Sequence, residues 1–184
     1  MKAVLISIQP KWCELIASGK KTVEVRKTRP KIETPFKCYI YCTHGKTVDD
    51  ILTFAEYKNG KYMGDYYANG KVIGEFICDD IITDKTFGHN ALFKTSACMS
   101  DADVSAYCLN KEMYCWHISD LVIYEQPKEL IEFSYPCKND CDTCKYNRLN
   151  SWANTTEPVM MCQRYVPNAP QSWCYVAELK GGER

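Results

Sequence analysis

The stretch Gly19-Lys20-Lys21-Thr22-Val23-Glu24-Val25-Arg26 sets two ammonium groups and a run of backbone N–H groups beside an alternating carboxylate and guanidinium. A turn of this kind can dock a phosphate, and a strand after it puts Thr22, Glu24 and Arg26 on one face. Glu24 can then accept from the amino group of a base, while Arg26 binds phosphate bidentately or stacks on a base. The plain alternative is that Glu24 and Arg26 pair with each other on the wall of the fold. Lys21 also has two readings: a charged lysine that holds phosphate, or a base or nucleophile beside Glu24 if burial strips water from its ammonium. The Lys-Thr ending is shared with phosphate loops. Such a loop needs a second glycine upstream and a helix after the threonine, whereas a strand pattern follows here.

A second constellation is Cys137-x3-Cys141-x2-Cys144, with Cys162 after 17 intervening residues. Four thiolates in two clusters suit a tetrahedral Zn2+, structural because no coordination position is left open. Residues 136–167 contain few aliphatic side chains and need something to hold them together. Reduced, unliganded thiols, or a redox pair of Cys141 and Cys144, are the alternatives. The remaining cysteines are isolated and read as small core hydrophobes. A nucleophilic pair of Cys42 or Cys115 with His117 can be drawn, but nothing in the pattern selects it, and His44, His89 and His117 show no metal spacing.

These groups need elements to hold them. Residues 3–8 are rich in β-branched side chains and close on Gln9-Pro10, the pattern of a first strand. Trp12, Leu15 and Ile16 at helical spacing predict a short helix that stops at Ser18-Gly19. Residues 22–26 alternate as a second strand. A third spans 37–43, with Cys38, Ile40 and Cys42 on one face and Tyr39, Tyr41 and Thr43 on the other. Residues 44–70 form an insert in which 50–54 could start a helix and Asn59-Gly60 and Asn69-Gly70 signal hairpin turns. Strand character returns over 71–78. Ser100 and Asp103 predict a capped helix through Tyr107 and Cys108, and strands follow at 113–118, 120–124 and 173–179.

Composition limits the rest. The 184 residues fit one domain, and 23 basic against 23 acidic residues give no global pull on nucleic acid or anionic membrane. Basic charge is local, crowded into the first 31 residues. No apolar run approaches the roughly 20 residues of a membrane span, and residues 3–8 are too short for a signal-peptide core. A cytoplasmic protein with no membrane partner is expected, in which 12 cysteines stay reduced or bind metal. Many short strands with few helices favour a mixed α+β barrel over a doubly wound parallel sheet.

Ser7-Ile8-Gln9-Pro10-Lys11-Trp12, followed by Ile16-Ala17-Ser18-Gly19-Lys20-Lys21-Thr22-Val23-Glu24-Val25-Arg26, resembles the defining segment of the ASCH family. Val72-Ile73-Gly74-Glu75-Phe76, Trp116-His117-Ile118 and Ser172-Trp173-Cys174-Tyr175 resemble its later strands, so about two-thirds of the chain is covered. The resemblance implies an α+β, PUA-like mixed β-barrel with short flanking helices and a cleft between the first helix and the sheet, in a family that acts on RNA or nucleotides. To this the cysteines add a small zinc-binding insert. Some small ASCH-like proteins are amidohydrolases of acetylated cytidine that use a lysine in this turn, a threonine on the strand and a glutamate. Lys21 matches their lysine, but Glu24 stands where their threonine is expected.

The expectation is therefore one domain over residues 1–184 that binds RNA, a nucleotide or a modified nucleoside in a single cleft, with inserts at 44–70 and 136–167. Gln9, Trp12, Lys20, Lys21, Thr22, Glu24, Arg26, Tyr41, Trp173 and Tyr175 are its candidate binding residues, the aromatic ones because they flank the recognised strands. Lys21 and Glu24 are the candidate catalytic pair if the chain is an enzyme on RNA or a modified nucleoside, a question left open at this point. A protein partner docking on the zinc insert is a third possibility.

Overall fold

A computed structural model describes residues 1–45, 47, 50–84, 91–108, 111–137, 147–150, 159–162 and 164–179. The first strand, β1 (Lys2–Ile8), is buried beyond its first residue, as an apolar β-branched run should be. Gln9 ends it, and Pro10 occupies the first turn of helix α1 (Pro10–Ala17), where its missing N–H is no loss. Gly19, at φ +72, releases the chain from the helix in a left-handed conformation. After the Lys20-Lys21 turn come β2 (Val23–Arg26) and β3 (Phe36–Cys42).

Residues 50–54 do not begin a helix. They lead instead into a hairpin of β4 (Thr53–Lys58) and β5 (Lys61–Tyr67). The reason is the Asn59-Gly60 turn, where both residues have positive φ (53 and 74), which suits the right-handed twist of two paired strands. Next are β6 (Val72–Cys78), β7 (Ile81–Asp84), α2 (Ala91–Ser96), α3 (Asp101–Cys108), β8 (Met113–His117) and β9 (Ser119–Lys128). The α3 cap forms as expected: Asp103 N–H donates to Ser100 Oγ at 3.1 Å, and Ser100 N–H donates to Asp103 Oδ2 at 3.0 Å. Beyond them lie β10 (Asn147–Asn150), β11 (Val159–Cys162) and β12 (Trp173–Ala177).

The fold is mixed α+β and mostly sheet. One sheet runs β12-β1-β3-β6-β9, with β1 and β3 parallel and its other neighbours antiparallel; a second runs β2-β8-β7. Among the described residues these ladders stay separate, so the expected closed barrel is not formed. The reason is that β2 pairs only with β8, and β7 ends the small sheet on its other side.

Three apolar clusters fix the layers. One joins the inner face of the large sheet (Val4, Ile6, Ile8, Cys38, Ile40, Cys42) to α1 and to Trp116 of β8. Another packs Val23, Val25, Met113 and Cys115, on the outer face of the small sheet, against Ala97, Val104 and Cys108 around α2 and α3. The third covers the opposite face of the large sheet, around Leu5, Tyr39, Tyr41 and Phe133. Strand alternation then leaves one place for the even-numbered residues of β2: the space between the two sheets. No helix among the described residues is long and apolar enough to cross a membrane.

Candidate functional site

Glu24 and Arg26 are buried between the sheets, and Lys21 reaches them from the turn at the end of α1. Their side chains are only 8%, 9% and 3% exposed, in that order. Glu24 Oε1 lies 3.1 Å from Arg26 Nε, and Glu24 Oε2 lies 3.4 Å from Lys21 Nζ. Lys21 Nζ donates to the carbonyl of Ala97 at 2.8 Å, and Arg26 donates through its terminal nitrogen to the carbonyl of Ser7 at 2.6 Å. Two cations thus share one carboxylate. Removing such charges from water costs several kcal/mol per ion, so this cluster is an expensive arrangement to keep.

The contacts to Glu24 are ionic proximities without hydrogen-bond alignment. Glu24 Oε2 and Arg26 Nε have no hydrogen-bond partner, and neither has the indole Nε1 of Trp116. Trp116 is the residue directly opposite Glu24 in the β2–β8 ladder. All three orphaned atoms therefore belong to one patch of the inner face. Buried polar groups without a protein partner are few in folded proteins, and three in one patch single it out from the rest of the core.

Its surroundings are both aromatic and apolar. Trp12, half-buried on α1, has Lys11 Nζ 4.3 Å and Lys21 Nζ 5.1 Å from its ring centre. Lys11 also pairs with Asp103 at 3.6 Å, tying α1 to α3. Beneath the cluster, burial pushes the Cys13 thiol well above 9.0, with its neighbour Cys42 and the charge of Glu24 adding to the effect. Cys13 is therefore a core thiol and no nucleophile.

The other expected site residues divide. Lys20 and Thr22 are exposed on the turn and Gln9 is exposed at the start of α1, and Thr22 borders the outer side of β2 with Ser96. Trp173 and Tyr175 face the same core, but their polar atoms are engaged: the Trp173 indole donates to Thr28 Oγ1 at 3.0 Å, and the Tyr175 hydroxyl accepts from Lys31 N–H at 2.7 Å. They hold down the segment after β2. Tyr41 lies away from the charged cluster. It packs with Leu5 and Tyr39 on the far face of the large sheet, because the parity of β3 gives the inner face to Cys38, Ile40 and Cys42.

The four-cysteine constellation is only partly in view, since Cys141 and Cys144, like His89, lie outside the described residues. Among the described residues no group of three or more His, Cys, Asp or Glu side chains is arranged to hold a metal. Sequence reasoning missed the Ser7 and Ala97 carbonyls and the Trp116 indole. Backbone acceptors leave no signal in a sequence, and a tryptophan on a strand gives no sign of whether its N–H is satisfied.

Comparison with known proteins bears on the fold. The ASCH domain profile matches residues 6–178. Crystal structures of an ASCH protein from Zymomonas mobilis align with a TM-score of 0.50, 21% identity, 70% of this chain and 73% of that one. A mutant form of the same protein gives a TM-score of 0.51 at 21% identity, over 71% and 77% of the two chains. At that identity the likeness is one of fold. No curated protein matches the chain. With a profile spanning nearly its whole length and the turn-and-strand segment in place, the chain belongs to the ASCH domain family.

Proposed function

We propose that this chain binds RNA or a nucleotide in one cleft centred on Lys21, Glu24 and Arg26. The observation that carries this reading is the pair of buried cations sharing a single carboxylate, with unpaired polar atoms beside them. An excess positive charge held in a low dielectric favours an anion, and a phosphate on Lys20, Lys21 and Arg26 would supply it. Glu24 is then free to accept from a base edge, and Trp12 offers a face on which stacking contributes about 1–3 kcal/mol. Zero net charge over the whole chain fits recognition confined to one cleft.

Anisotropy titrations of labelled single-stranded RNA at several salt concentrations test this. Lys21→Ala and Arg26→Ala should each weaken binding by at least about tenfold, and should lower the salt slope by about one. Unchanged affinity in both variants would remove the reading.

A second reading rests on the 3.4 Å approach of Lys21 Nζ to Glu24. A lysine and a carboxylate in that position can exchange a proton, as an amidohydrolase of acetylated cytidine or a ribonuclease would require. Incubation with acetylcytidine and with RNA separates the two. Product that disappears in Glu24→Gln favours the enzyme; no product at high protein concentration favours binding alone.

For the cysteines the reading is a structural zinc on Cys137, Cys141, Cys144 and Cys162. Register supports it. Ser134 bridges Tyr165, so Cys137 and Cys162 lie three residues further along two chain segments that approach each other there. Asn147 pairs with Cys162, and Cys144 precedes Asn147 by three residues. Metal analysis of the purified protein should find about one zinc per chain, reduced in Cys144→Ser. A folded, metal-free protein would sink the zinc.

A further inference from the structure

On the other side of β2 from the charged cluster lies a cavity of about 460 Å³, within the range of small-molecule sites. Thr22 and Ser96 are among the residues that line it, and the end of β8 contributes His117. The His117 ring meets Asp79 through Nδ1 at 2.7 Å. That hydrogen bond holds the Asp79 carboxyl below its ordinary 3.8, so Asp79 is the acceptor. With Nδ1 donating to Asp79, the uncharged form of an imidazole presents Nε2 as an acceptor.

Both members of the pair are nearly half exposed, at 47% and 44%, and pairs so exposed contribute little to stability. What the pair does is orient an imidazole at the wall of a cavity. The apolar side of the same cavity is Leu92, 79% exposed, and Ile82, 41% exposed, with Phe93 between the helix and the sheet. Apolar side chains at the surface beside an oriented imidazole match the composition of ligand pockets. Asp79 and Asp80 on the rim set its charge preference, since two carboxylates repel a phosphate.

We propose that this cavity is a second ligand site, for an uncharged ring compound of nucleoside size that presents hydroxyl or amino donors. The ring lies against Leu92 and Phe93, and its donors face His117 Nε2 and the Asp80 carboxylate. Anionic forms of the same compound are excluded. The site lies across β2 from the side chains of Glu24 and Arg26.

Adenosine is a suitable probe, titrated into the full chain while the histidine ring signals are followed by NMR. The expected result is a saturable shift of His117 with His44 unmoved, and binding of adenosine 5′-monophosphate at least about tenfold weaker. Leu92→Lys, at a position 79% exposed, should abolish the shift while leaving the melting temperature unchanged. Arg26→Ala, which removes the side chain bonded to Ser7 on the inner side, should preserve it even if RNA binding is lost, which keeps the two sites distinguishable. No saturable shift up to the solubility limit, equal binding of the monophosphate, or survival of binding in Leu92→Lys would each overturn the proposal.

Discussion

Two clusters built from lysine and glutamate flank the five-stranded sheet, and they differ in what they leave unsatisfied. On the outer face Lys37 donates to Glu75 Oε1 at 3.0 Å, while Glu75 Oε2 accepts the Tyr124 hydroxyl at 2.7 Å. Glu178 adds a second carboxylate 3.6 Å from Lys37 and takes the N-terminal amine at 4.0 Å. Lys37 and Glu75 keep about a quarter of their surface in water, at 24% and 23%. On the inner side Lys21, Glu24 and Arg26 are almost dry, two cations share one carboxylate, and an acceptor and two donors are unpartnered. The outer network is complete as it stands. The inner one leaves Glu24 Oε2, Arg26 Nε and Trp116 Nε1 unpaired within the protein, and the proposed binding cleft rests on that difference.

The largest effect should come from removing the shared carboxylate. Glu24→Ala strands two buried cations and should cost about 3–5 kcal/mol in urea unfolding, whereas Lys37→Ala on the wet face should cost about 0–1 kcal/mol. Equal losses would erase the contrast. A sharper form replaces the whole inner trio with Lys21→Met, Glu24→Leu and Arg26→Met. Apolar replacements of buried ion clusters are commonly neutral or stabilising, so the triple variant should fold at least as well as Glu24→Ala while losing RNA affinity. A triple variant that folds and still binds RNA would make the trio a structural feature.

A smaller effect belongs to the outer network at alkaline pH. Burial pulls the Lys37 ammonium down, but the hydrogen bond and charge of Glu75 outweigh it and leave it above its ordinary 10.5. Tyr124 is raised above 10.0 by burial and then by Glu75. For both groups the folded state holds its proton more tightly than the unfolded chain, so their contribution is whole below about pH 10 and is lost as pH rises through the folded values. Thermal melts of wild type and Glu75→Gln should therefore differ most near neutrality and converge above pH 10. A gap that widens with pH would have the sign wrong.

Much of this architecture was legible in the sequence, and the limits have physical causes. The strand, short helix and turn from residue 3 to residue 26 were readable because apolar periodicity, Pro10 and Gly19 all agree. The shared face of Glu24 and Arg26 followed from alternation alone. Its burial did not, since a polar strand face reads as wet until β8 and α1 are known to cover it. Tyr41 shows the same limit from the other side: parity separated it from Cys42, but only the packing of α1 decided which face borders the cleft. The hairpin at 53–67 was signalled by its Asn-Gly turn, while the apolar run before it suggested a helix because short runs carry no decisive period. The Asp79–His117 pair had no local signature, as its members are 38 residues apart in sequence.

The most direct test of the central claim is a crystal structure of this chain with a short single-stranded RNA. The account predicts nucleotide density within hydrogen-bonding reach of Lys21 Nζ, Glu24 Oε2 and Arg26 Nε, with a base against Trp12. RNA bound elsewhere, with only water beside those three atoms, would contradict it.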